Sequence, residues 1–367
     1  MSKEPVLLER FIGTILGVAV GDALGAPVEG WSRETINQVL GHVRGYQLTL
    51  MGRGIYTDDT QLTLILLKSL LSRGKLDPAD FAYEIGEWMR RSDEGVESAR
   101  GVGKSVSVAA RKLYKGVPWN KSGENSPSNG AAVRIAPLVL LHQSSDDIEN
   151  LMKDIENSAL PTHAEPLAIQ GAKLLALALR NILNEERFFF NRLKFMKDLI
   201  NGAEKYAPNM LGCLIRLKSF INKKPIEHRV FPPLPGRTAM QSIPIQREIM
   251  DCQEMLEEIG TGKYVLESIP AALCCFINSP SSFEETLLNA VNAGGDTDSI
   301  AAMAGALSGA LNGASAIPMR WLMELENKEE IIILANRLHD IVMGEKVEEP
   351  SGTVFYSYAA VRFSIKS

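Results

Sequence analysis

The chain of 367 residues is 45% hydrophobic and 23% charged, a balance that supports a sizeable buried core and excludes disorder as its main state. Lys and Arg number 39 against 44 Asp and Glu, a net charge of −5, which excludes a strongly basic nucleic-acid binder. Length alone allows one large domain or roughly two of about 150 residues.

Taken in chain order, the N-terminal segment MSKEPVLLERF is charged and lacks an apolar run, so no signal peptide is expected. Behind it, Gly13, Gly17, Gly21 and Gly25 recur every fourth residue through a helical pattern. Each glycine inside a helix costs about 1 kcal/mol against alanine. A row on one face is explained if another backbone approaches closely there. Gly305, Gly309 and Gly313 repeat the spacing near the other end, which predicts two tightly packed central helices. A membrane reading of the row conflicts with Asp22 inside it.

Apolar residues three and four apart predict helices over Gln61–Ser72, Asp77–Arg91, Glu165–Leu183, Phe283–Ala293 and Ser299–Leu311. Alternating β patterns with turn dipeptides are almost absent. Lys173 interrupts the apolar run near 168–183, and the run near 300–311 is too short to span a bilayer. Residues 121–130, KSGENSPSNG, predict a polar loop, and the Pro-containing stretch near 222–246 a long surface excursion. Cys213, Cys252, Cys274 and Cys275 form no C-x-x-C pair and are expected to be reduced thiols. The expectation is a cytoplasmic all-α protein, a single domain over 1–367, with no membrane partner and a monomer the favoured form.

Two helix starts stand out chemically: Thr57-Asp58-Asp59-Thr60, and Gly294-Gly295-Asp296-Thr297-Asp298-Ser299. The plain reading is N-capping, in which one side-chain oxygen accepts a backbone N–H, for about 1 kcal/mol. Negative charge in the first turn also suits the helix dipole. A cap uses one side chain, however, and each segment supplies two acids with flanking hydroxyls. If the two starts converge, two charges about 5 Å apart repel by roughly 3 kcal/mol at an effective dielectric near 20. Either protons are retained or a cation neutralises the group. Every donor is a hard oxygen, which suits Mg²⁺, Mn²⁺ or Ca²⁺ better than Zn²⁺.

The sequence resembles the ADP-ribosylglycohydrolase family. The likeness is carried in order by Gly17-Val-Ala-Val-Gly-Asp-Ala-Leu-Gly-Ala-Pro-Val-Glu29, Thr57-Asp-Asp-Thr60, Asn129-Gly-Ala-Ala-Val-Arg-Ile-Ala-Pro137, Thr162-His163-Ala-Glu-Pro166 and Asn292-Ala-Gly-Gly-Asp-Thr-Asp-Ser299. The resemblance implies a compact orthogonal bundle of helices with two divalent ions, Mg²⁺ or Mn²⁺, at the base of an ADP-ribose cleft. It implies that Thr57, Asp58, Asp59, Asp296, Asp298 and Ser299 are metal ligands, Ser299 replacing a threonine common in relatives. Glu29 matches an acid that gates the cleft or touches a metal, and is otherwise a surface loop acid. Asn129, Gly130 and Ala131 match a loop that cradles the diphosphate, small residues suiting backbone N–H donation. Relatives often carry a serine where this chain has Ala131 or Ala132, so one hydroxyl contact is absent here.

His163 matches a residue lining the ADP-ribose site, the alternative being a cap of the following helix. Gly101 and Gly103, in Arg100-Gly101-Val102-Gly103, are placed at the border of the distal ribose, although a lone G-x-G spacing is common in loops. Arg134 is left between phosphate binding and a salt bridge within its helix. His42, His142, His228 and His339 are read as ordinary structural or surface histidines.

The implied reaction is hydrolysis of the bond between ADP-ribose and an acceptor, a protein side chain or a small molecule, with arginine slightly ahead of serine. Metal charge acidifies the attacking water, and Asp58, Asp59 or Glu29 takes its proton. A guanidinium leaving group asks for acidic neighbours, and Asp93, Glu94 and Glu124 lie in loops that could meet it. The alternatives are a dinuclear-metal hydrolase of another nucleotide or glycoside, and a non-catalytic ADP-ribose-binding or structural relative.

Overall fold

A computed structural model describes residues 3–185, 190–223 and 252–344 of the chain. Seventeen α-helices and several 3₁₀ turns make up the described residues, with no β-strand among them, only isolated bridges. The all-α architecture is therefore as expected. The proposed excursion near 222–246 lies outside the described residues, as does His228.

The centre of the molecule is the antiparallel pair formed by the helices Lys3–Gly25 and Thr297–Asn312. Their contact is made by the two glycine rows. A methyl group at Gly13, Gly17 or Gly21 would collide with the facing backbone at Gly309–Gly313, Gly305 and Ala301 in turn. The glycines thus let two helix backbones touch directly, and the entropy they cost is recovered as backbone-to-backbone packing. The row ends at the functional face: Gly25 lies against Thr297 and Asp298, and Thr297 Oγ1 donates to the Gly25 carbonyl at 2.9 Å.

The five helices expected from periodicity are present as Asp58–Arg73, Pro78–Asp93, Pro166–Leu183, Phe283–Val291 and Thr297–Asn312. Two start two and three residues earlier than the apolar pattern, because polar residues make up their first turns. Leu, Ile, Val and Ala side chains from these helices and the central pair join one large continuous core.

One expectation needs correction. By length and apolar content alone, Val6–Val28 and Pro166–Leu183 are sufficient to cross a bilayer, despite Asp22 and Lys173. Isolated charges in so long an apolar run do not remove that property. In this fold 89% and 67% of the two apolar windows are buried against neighbouring elements, as suits core helices. None of the four cysteines is in a disulfide, and three of them are buried.

Candidate active site

The two acidic helix starts converge. Ser299 Oγ donates to Asp59 Oδ2 at 2.7 Å, joining the first turn of Thr297–Asn312 to that of Asp58–Arg73. Capping does not explain the acids. In the first helix Thr57 is the cap, accepting from Asp59 N, and Asp296 at the second makes no side-chain cap bond. Asp58, Asp59, Asp296, Asp298 and Ser299 are all buried, at 3–7% exposure.

Behind the first cluster stands Asp22, fully buried in the N-terminal helix. It accepts from Thr57 N at 2.9 Å, Thr60 N at 2.9 Å and Thr60 Oγ1 at 2.6 Å. These bonds fix the entry of the Asp58–Arg73 helix and, with Thr60 and Thr57 turned inward, set the direction of Asp58 and Asp59. Asp58 N donates to the Arg100 carbonyl at 2.7 Å. Gly101, at φ +69°, packs so closely on Thr57 that a methyl there would lie 3.0 Å from its Cβ and 3.5 Å from Asp58 Oδ1. Gly101 therefore belongs to the wall of the first cluster. Gly103 does not: it precedes the helix Lys104–Tyr114, and the space around its Cα is open.

The second cluster is tied on its other side. Asn129 Nδ2 donates to Asp296 Oδ2 at 2.5 Å, while Asp296 N donates to the Thr261 carbonyl at 2.7 Å. Gly294 and Gly295, at φ +78° and +80°, make the turn into Asp296. Gly295 also exchanges backbone bonds with Gly30 and Trp31, which brings the Glu29 turn alongside. Carboxylate oxygens of Glu29, Asp296 and Asp298 lie within 4.8 Å of one another. Lys263 is ion-paired with Glu29 at 2.6 Å and stands 3.8 Å from Asp296 Oδ1.

Burial raises the pKa of Asp22, Asp58, Asp59, Asp296 and Asp298, and for all but Asp22 neighbouring carboxylates add to it. Asp58 is pushed up to about 7 by burial first and then by Asp22. Asp22 itself reaches about 6 through burial, against the pull of its hydrogen bonds to Thr60 and Thr57. Asp59 and Asp298 are held well above the usual carboxylate range by burial and by each other's neighbours, Asp58 and Asp22 for one, Asp59 and Asp296 for the other. Asp296 is raised by burial as well, although Asn129 and Lys263 oppose the shift.

The donor set suits a hard divalent ion. All donors are oxygens, and Asp296 Oδ1 is buried with no hydrogen-bond donor. A buried carboxylate oxygen without a hydrogen bond either keeps a proton or meets a cation.

The Asn129-Gly130-Ala131 turn lies beside Asp296. Ala131 is fully buried, its methyl turned into a small apolar cluster with Ala159 and Ile169. His163 is also fully buried and does not cap the next helix. Its Nδ1 is 2.8 Å from Thr162 Oγ1 and its Nε2 2.9 Å from Ser128 Oγ. Burial, reinforced by Arg134, lowers its pKa to about 3, so the ring is neutral. His163 reaches the Asn129 turn through Ser128 and as the floor under Gly130. Arg134 forms no ion pair among the described residues. It is fully buried, donates to the Gly130 and Ser158 carbonyls and Thr162 Oγ1, and faces the ring of Phe81. Asp93, Glu94 and Glu124 are each paired, with Arg111, Arg90 and Lys112 respectively.

Sequence reading missed Asp22 and Lys263. Asp22 had a signal, being an acid inside a glycine-rich apolar helix that nothing else explains. Lys263 had none.

A sequence profile described as ADP-ribosylglycohydrolase matches residues 3–347. The chain is 30% identical to ADP-ribosylhydrolase ARH3 of Homo sapiens over 359 residues, covering 91% of this chain and 94% of that protein. It is 28% identical to ADP-ribosylarginine hydrolase Tri1 of Serratia proteamaculans, covering 91% and 80%. A solved structure titled ADP-ribosylglycohydrolase-related protein complex superposes with a TM-score of 0.69 at 28% identity, covering 93% of this chain and all of the other.

Proposed function

The chain belongs to the ADP-ribosylglycohydrolase family and is a hydrolase of glycosidic bonds; we propose that it releases ADP-ribose from an acceptor side chain with the help of two divalent ions, Mg²⁺ or Mn²⁺. The observation that carries this reading is the Ser299–Asp59 bond, which joins the first turns of the two acidic helix starts. Thr57, Asp58, Asp59, Asp296, Asp298 and Ser299 would hold the ions. When bound, they supply the charge that orients ribose hydroxyls and acidifies a water for attack.

The remaining work falls to the chain's own residues. Asp22 fixes the Thr57–Thr60 turn so that its carboxylates meet those of the second helix without reorganisation. Asn129 holds Asp296 in one orientation, and its Gly-Ala turn offers small residues and backbone to a diphosphate. Asp58, Asp59 or Glu29 accepts the proton of the attacking water. The same carboxylates stabilise the oxocarbenium character that develops as the acceptor leaves. Arginine-linked ADP-ribose is favoured, because a guanidinium leaving group suits a carboxylate-rich site, and the Serratia relative bears that specificity in its name.

The test is release of free ADP-ribose from arginine- and serine-linked ADP-ribosylated peptides with Mg²⁺, Mn²⁺ or EDTA. Release from the arginine peptide, abolished by EDTA, is expected. Release from the serine peptide alone would overturn the linkage. Release unaffected by EDTA would overturn the metal requirement. Cleavage of neither peptide would transfer the site to another nucleotide or glycoside substrate, or to binding alone.

A further inference from the structure

Lys263 is a basic side chain at the edge of an acidic site. Its ammonium lies 2.6 Å from Glu29 Oε1 and 3.8 Å from Asp296 Oδ1, between two of the three carboxylates whose oxygens share a 4.8 Å space. Asp296 Oδ1 is buried and accepts no hydrogen bond, so this ammonium is the compensation it has among the described residues. Burial opposes the lysine's charge, yet the bond to Glu29 and the charges of Asp296, Glu29 and Asp298 hold its pKa above the usual range. It stays protonated at neutral pH.

The two ends of this contact differ in freedom. The Asp296 side chain is 2% exposed, whereas that of Lys263 is 55% exposed. The lysine backbone is pinned, its carbonyl accepting from Asn129 N at 3.1 Å, and the nearby Thr261 carbonyl accepts from Asp296 N at 2.7 Å. The side chain can therefore swing into water while the loop remains in place.

We propose that Lys263 is a resident counter-ion that competes with a divalent ion for the Glu29–Asp296 side of the site, so that loading requires its ammonium to leave. This rests on the reading of the cluster as a divalent site. A hard cation binds carboxylate oxygens at about 2.0–2.6 Å, which is also the range of the ammonium contact to Glu29. Two positive charges cannot share these oxygens without strong repulsion. The lysine thereby compensates the empty site and weakens its affinity for the ion.

The experiment is titration of the full chain with Mn²⁺ alone, followed by electron paramagnetic resonance or calorimetry, for wild type, Lys263→Met and Lys263→Arg. The methionine variant is expected to bind Mn²⁺ at least about tenfold more tightly, and its Mn²⁺-free form to melt at a lower temperature than wild type. The arginine variant, which keeps the charge, is expected to stay near wild type. Unchanged or weaker binding in Lys263→Met would overturn the proposal while leaving the metal reading intact. Tightening in the arginine variant as well would assign the effect to packing and also overturn it. If no variant binds Mn²⁺, both the proposal and the metal reading fall.

Discussion

The two acidic helix starts look alike in sequence and are built differently. The Thr57–Thr60 turn is anchored from inside by Asp22, a buried carboxylate that takes up two backbone N–H groups and a hydroxyl. The Asp296–Ser299 turn is anchored from its flanks, by Asn129, by the Thr261 carbonyl and by the glycines that join it to the Glu29 loop. It also carries an exposed cation, Lys263. The first half is preset by the core; the second is open to exchange at its rim. Such a division lets one side hold geometry while the other responds to what binds.

The largest effect should come from removing a carboxylate on either side. Asp59→Asn and Asp298→Asn are each expected to lower kcat by about a hundredfold or more, through lost ion binding, with the fold retained. Their ion-free forms should be as stable as wild type or more so by about 1 kcal/mol, since each removes like-charge repulsion. Turnover and urea denaturation in EDTA check both halves of this expectation. Unfolding of either variant would return the acids to simple capping.

Asp22→Ala should separate the two halves. It leaves Thr57 N and Thr60 N without an acceptor in the interior, at a cost of about 2–4 kcal/mol of stability. Denaturant unfolding measures this, and a loss under about 1 kcal/mol would show that Asp22 is not the anchor of the first turn.

The pH dependence is expected to follow the first half. Asp58 titrates near 3.8 when unfolded and is pushed up to about 7 in the fold. A raised carboxylate pKa contributes stability that is complete below the unfolded value and lost as pH rises through the folded one. The ion-free protein should therefore lose a few kcal/mol of stability between about pH 4 and pH 7. Divalent ion should restore it at pH 8. Melting temperatures in EDTA and in Mn²⁺ at pH 5 and pH 8 test the sign; equal melting at both values in EDTA would remove Asp58 from the account.

The smallest expected effect is Asn129→Ala. It removes the donor to Asp296 Oδ2 without removing a carboxylate, and is expected to weaken ion binding by about tenfold, or 1–2 kcal/mol. Calorimetric titration with Mn²⁺ against wild type would show it. An effect as large as that of Asp298→Asn would mean that the second turn depends on Asn129 as heavily as the first depends on Asp22.

Much of the fold was legible because its causes are local. The glycine rows at spacing four require a close backbone, and the structure places each row against the other. The polar helix starts stood out because they hold more acids than a cap can use. Less legible were residues whose role depends on what lies across from them. Ala131 and His163 were readable as part of a ligand loop, yet one turns its methyl into the interior and the other acts through Ser128. Arg134 was readable as a charge, but not as one buried among carbonyls against Phe81.

The sequence by itself determined an all-helical chain, a central glycine-to-glycine helix contact, and two oxygen-rich helix starts that capping alone could not explain. These follow from periodicity and residue chemistry, which act over a few residues. Only the tertiary structure decided that the two starts meet, that Asp22 backs one of them and that Lys263 faces the other. Residues 22 and 60, or 263 and 29, are brought together by helix packing across the core, and no spacing along the chain encodes which distant side chain will meet a given carboxylate.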